Sequence, residues 1–139
     1  MHLGIALPFG DIGGDGPIVR EFAELAEAEG YEGLTLADHV LGGNPANPAS
    51  GRAGELGLFH DPFVAFGFIA LHEIGRTPHP GAESRTASAV LVAKQAASLE
   101  VLSGGRFGFG IGVGWNELEF VGLNENFHNR ASGLRNRSK

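Results

Sequence analysis

Residues 3–39 read LGIALPFGDIGGDGPIVREFAELAEAEGYEGLTLADH, and this stretch decides the fold class. Residues 2–9 alternate poorly and are mostly apolar, the pattern of a strand buried on both faces of a parallel sheet. Residues 10–16 are rich in Gly and Asp and read as a loop, and Pro17 suits the first turn of a following helix. From Ile18 onward Phe22, Leu25, Ala26 and Ala28 fall at helical spacing, with Glu21, Glu24, Glu27 and Glu29 elsewhere. Gly30 sits where a helix C-terminal cap belongs. Residues 31–37 (YEGLTLA) then form a second strand candidate, closing on Asp38-His39. Strand, helix and strand joined by loops this short make a βαβ unit, whose crossover is almost always right-handed.

Downstream the alternation continues with one interruption. Residues 41–60 form a long Gly/Pro/Asn loop, a kind found in binding loops or disordered segments. Asp61-Pro62 starts a helix well, Asp as cap and Pro at the first position, with an apolar body over residues 63–71. Ala89–Leu102 (AVLVAKQAASLEVL) is a second clear helix, stopped by Ser103-Gly104-Gly105. Residues 106–115 follow as a strand candidate, and Asn116 caps a helix beginning over residues 117–120. A third strand belongs within residues 73–88, yet that stretch holds two prolines, two glycines and no β-branched run. It reads as a divergent surface loop.

Composition bounds the function classes. The 139 residues are 42% hydrophobic and 19% charged, enough to bury a core. A net charge of −6 argues against a general affinity for nucleic acid. The last eleven residues hold four of the ten basic side chains and no acidic one, so the organisation expected is a domain over residues 1–130 and a basic tail over residues 131–139. Without cysteine there is no disulfide, thiol nucleophile or thiolate metal site. No run of about 18 apolar residues is present, and Asp11 and Asp15 follow the brief apolar start. A cytoplasmic protein with no membrane span is the expectation.

Two motifs carry candidate chemistry. Gly108, Gly110, Gly112 and Gly114 alternate with Phe107, Phe109, Ile111, Val113 and Trp115. As a strand, this would put every glycine on one face and every large apolar group on the other. The bare face fits either tight packing inside a barrel or a surface for a planar ligand. The spacing is not a dinucleotide fingerprint. Asp38-His39 lies where the second strand ends, the place where parallel α/β proteins bind ligands. The pair is either structural, with Asp38 capping loop N–H groups, or chemical, with His39 moving a proton. Elsewhere His72-Glu73 fails as a zinc motif because Arg76 stands at the second histidine position. His60, His79 and His128 have no partner at metal-ligand spacing, so no metal is expected. The sequon at Asn136 is a chance match, and Ser103 sits in a turn after a helix rather than on a nucleophile elbow.

Taken together, LGIALPFG, AELAEAEGYEGLTLADH, DPFVAFGFIA and above all LVAKQAASLEVLSGGRFGFGIGVGWNELEFVGL resemble the luciferase-like monooxygenase family. The resemblance covers most of residues 2–130, with a gap at 73–88. It implies a (β/α)₈ barrel acting on small organic substrates with reduced FMN or the deazaflavin coenzyme F-420. By position it implies that Asp38 and His39 are catalytic, with His39 near the cofactor ring. It also implies that Phe9 lines the substrate pocket and that Gly112, Gly114, Trp115 and Asn116 border the ring.

A complete barrel takes roughly 250 residues. The chain therefore reads as a partial (β/α)₈ barrel of about four β/α units with its third strand disrupted, and its activity as impaired by truncation. Frame disruption would account for both the 73–88 stretch and the basic tail. The sheet edges and helix faces left open predict association, as a homo-oligomer or with a full-length relative. The alternative function is a non-catalytic fragment serving as an oligomerisation or interaction module.

Overall fold

The structure, a computed structural model, describes residues 3–41, 60–70 and 89–130. Within them β1 (Gly4–Ala6), α1 (Phe9–Ile12), α2 (Gly16–Ala28) and β2 (Gly33–Thr35) form the βαβ unit that the sequence predicts. The strands are parallel, with Gly4 opposite Gly33, Ile5 opposite Leu34 and Ala6 opposite Thr35. Pairing extends past β1, because Leu7 N donates to Thr35 O at 2.9 Å. Both strands are shorter than the apolar runs that announced them. Residues 9–12, which the sequence divides between the end of a strand and a loop rich in glycine and aspartate, instead form one helical turn after Pro8. Pro8 favours that turn by supplying a fixed φ and needing no donor.

Three further helices follow: α3 (Pro62–Ala70), α4 (Ala89–Leu102) and α5 (Glu117–Gly122), then a 3₁₀ turn at Phe127–Asn129. α3 packs on α4 and against α2. The start of α3 obeys local chemistry, since Val64 N donates to Asp61 Oδ1 at 3.0 Å. α2 buries Val19, Ala23 and Ala26, with Phe22 packed beside them. Of the positions that the sequence suggested, Ala26 is buried and Phe22 half-buried, whereas Leu25 and Ala28 are exposed. The charged glutamates take the outer face. α4 buries Val92 and Leu99, with Ala96 between them.

Helices α2, α4 and α5 end the same way. Gly30 N donates to Glu27 O at 3.0 Å and Tyr31 N to Ala26 O at 3.0 Å. Gly104 N reaches Val101 O at 3.1 Å and Gly105 N reaches Glu100 O at 2.9 Å. Asn124 N and Glu125 N repeat the pattern on Val121 O and Phe120 O. Each is a Schellman motif, and its pivot has positive φ: Gly30, Gly104 and Asn124. At Gly104 (φ 65°) any Cβ is strained, so Gly104→Ala is expected to lower stability by about 1 kcal/mol, read as a shifted urea midpoint.

The core gathers Leu7 and Phe9 after β1, Leu34 and Leu36 of the β2 region, Phe63, Phe66 and Ile69 of α3, and Leu99 of α4. Phe107 and Phe109 extend it, with Phe63 at 6.2 Å and 6.0 Å from them between ring centroids. Two strand expectations need correction. β1 is not buried on both faces, since Gly4 and Ala6 are exposed and only Ile5 turns inward. Residues 106–115 are not a strand: isolated bridge pairings occur at Phe107 and Gly110, and no ladder runs between them. Four glycines leave that stretch little side-chain packing to offset the loss of backbone freedom. Of the three strands read from the sequence, the described residues therefore contain two, paired in parallel, and barrel closure is not visible in them. The third-strand position at 73–88, most of the 41–60 loop and the 131–139 tail lie outside the described residues.

Candidate functional site

The chain leaves β2 at its carboxyl end through Leu36, Ala37, Asp38 and His39, and there it meets the start of α5. Asn116 caps that helix: its Oδ1 accepts from Leu118 N at 3.2 Å. Its Nδ2 donates to Leu41 O at 3.4 Å, so one side chain ties two segments together. Asn116 is only 1% exposed. Three residues on, Glu119 turns its carboxylate toward the β2 loop, with Oε1 3.0 Å from His39 Nδ1. The same oxygen lies 3.5 Å from Leu41 N. Both side chains of the His39–Glu119 pair are 11% exposed. Gly122 leaves room for the end of the Leu41 side chain, whose Cδ1 would stand 2.5 Å from a Cβ there.

Trp115 completes this corner. Its ring meets His39 edge-on at 5.7 Å between centroids, while half of the residue remains exposed. Asp38 is half-buried beside His39. Gly112 and Gly114 are half-buried, whereas Ile111, Val113 and Trp115 point their large groups outward. The glycine backbone is thus the inner side of this segment, and Gly114 has φ 71°. Phe9 belongs to the core, 2% exposed, and its ring meets that of His60 edge-on at 5.1 Å between centroids. His60 in turn bonds Gly14 O through Nε2 at 2.6 Å.

The structure thus brings His39, Trp115 and Asn116 into one constellation, with Asp38 and Gly114 adjacent in sequence to its members. Phe9 lies with His60 under the loop that follows β1. Sequence reasoning missed Glu119 and His60. Glu119 had a local signal, because Asn116-x-x-Glu119 has the spacing of a capping box. The box is only half made, since Glu119 is used on His39 and Leu41. His60 had no such signal. Among the described residues no group of His, Asp and Glu is arranged to hold a metal ion. No helix among them is long and apolar enough to cross a membrane.

The parallel βαβ unit defines an α/β protein, with a histidine, a carboxylate and an indole gathered beyond the carboxyl end of β2. The chain belongs to the luciferase-like monooxygenase family, whose model matches residues 1–136. Its fold is similar to that of monooxygenase RslO1 from Streptomyces bottropensis, with a TM-score of 0.68 and 17% identity over 95% of this chain and 39% of that one. It is also similar to the oxygenating constituent of 3,6-diketocamphane monooxygenase of Pseudomonas putida, a type II Baeyer-Villiger enzyme in complex with FMN. There the TM-score is 0.66 and the identity 14%, over 94% of this chain and 36% of that one. The chain therefore spans less than two fifths of the length of these solved structures. Comparison with curated proteins returned no match.

Proposed function

We propose that this chain forms one wall of a flavin-dependent monooxygenase site, with His39 as the residue facing the reacting ring. The observation that carries the reading is the His39–Glu119–Trp115 constellation beyond β2, in a chain of the luciferase-like family. Its donor set fits one side of a flat heteroaromatic ring: an indole half open to solvent, an imidazole and glycine backbone at 112 and 114. A reduced flavin bound there would supply the two electrons that activate molecular oxygen, one atom of which would go to a small organic substrate and the other to water.

The residues share the remaining work. His39, with Asp38 beside it, orients substrate or exchanges a proton at a ring nitrogen. Trp115, Gly112 and Gly114 border the cofactor. Asn116 holds the loop in place from below, and Phe9 supports the substrate side. FMN is the cofactor favoured by the neighbour that holds it, with coenzyme F-420 as the competing ligand. Fluorescence titration of the full chain with each separates them. Stoichiometric quenching of FMN is expected, weakened roughly three- to tenfold by Trp115→Ala as one aromatic contact is lost. Absence of binding to either cofactor would overturn the reading.

A second reading rests on a different observation. Val64 of α3, Val90, Val101 and Leu102 of α4 and Val121 of α5 are all more than half exposed. That favours association through helix faces, with a second copy or a longer relative. Sedimentation across a hundredfold range of concentration is expected to show self-association, and a strict monomer would count against it.

A further inference from the structure

We infer that Glu119 is a positioning residue that sets the tautomer of His39, holding the proton on Nδ1 and leaving Nε2 as the acceptor nitrogen. A carboxylate accepts hydrogen bonds and cannot donate them. With Glu119 Oε1 3.0 Å from Nδ1, the neutral imidazole must carry its proton on Nδ1 for this contact to be favourable. The pair is largely shielded from water, which strengthens the contact and raises the penalty for the other tautomer. Glu119 is itself fixed, because it sits in the first turn of α5, whose cap Asn116 is buried and whose start is tied to Leu41. Trp115 packs edge-on against the ring and restricts its rotation. In this tautomer Nδ1 carries the proton toward Glu119, and the ring's lone pair is on Nε2.

The functional consequence rests on the reading of His39 as the residue facing the cofactor, but the tautomer does not. The test is a two-bond ¹H–¹⁵N correlation spectrum of the full chain labelled at histidine, recorded without cofactor at a pH where the ring is neutral. His39→Asn identifies the His39 signals. The pattern expected for His39 is that of the Nδ1–H form, opposite to the Nε2–H form that predominates for histidine in water. Glu119→Leu is expected to lose that pattern, and Glu119→Asp to restore part of it. A wild-type His39 in the Nε2–H form overturns the inference whatever the variants do, as does an unchanged pattern in a folded Glu119→Leu chain. An Nδ1–H pattern in a chain that fails to bind FMN or F-420 supports the tautomer assignment and overturns only the flavin reading.

Discussion

Phe66→Ala is expected to cost about 3–5 kcal/mol, read as a large fall in the urea midpoint and in the melting temperature. Phe66 is 2% exposed at the centre of α3. It touches the core on one side and stands edge-on to Phe107 at 6.3 Å on the other. Removing the ring leaves a cavity between α3 and the 106–110 segment. That segment has no sheet ladder of its own, so it depends on Phe63 and Phe66 for its position. Domains of this size are stable by about 5–15 kcal/mol in total, so a loss of this magnitude leaves a measurable unfolded population. Glu21→Ala on the outer face of α2 is the control. Glu21 is exposed, and its truncation is expected to change stability by less than about 0.5 kcal/mol.

The second large effect is expected at Asn116. Asn116→Leu keeps the bulk but removes the acceptor for Leu118 N and the donor for Leu41 O. Loss of an Asn cap costs about 0.5–2 kcal/mol, and loss of the bond to the exposed Leu41 adds less, so the expected loss is about 1–3 kcal/mol. Asn116→Asp separates the two parts. Its carboxylate still accepts from Leu118 N, but it has no donor for Leu41 O, so the loss should be smaller. Chemical denaturation of both variants measures the difference. In both, freeing Leu41 loosens the loop that presents His39, and FMN binding is expected to weaken more than stability alone explains.

Helix positions were legible because their causes are local. Asp61-Pro62 announces the start of α3, and Ser103-Gly104-Gly105 announces the end of α4, through bonds that reach only a few residues along the chain. Which face of α2 turns inward was less legible. Leu25 and Ala26 are both apolar, and only the surface that α2 meets decides between them. The 106–115 segment misled for a related reason. Its period-2 alternation is compatible with a strand, but a strand exists only where a neighbour supplies hydrogen bonds, and periodicity says nothing about neighbours.

The site divides along the same line. Asp38-His39 stood out because a strand's carboxyl end is a place that the βαβ pattern itself defines. Trp115 and Asn116 entered through family likeness, and Asn116 also through its capping position. The amino-acid order thus determined the βαβ unit, the helices with their caps, and the family to which the chain belongs. Tertiary structure alone decided that Glu119 stands against His39 across 80 residues of chain. It also decided that Asn116 is a buried tie between two segments. Such pairings depend on where the backbone carries each side chain in space, and no spacing along the chain encodes a distance between residues so far apart.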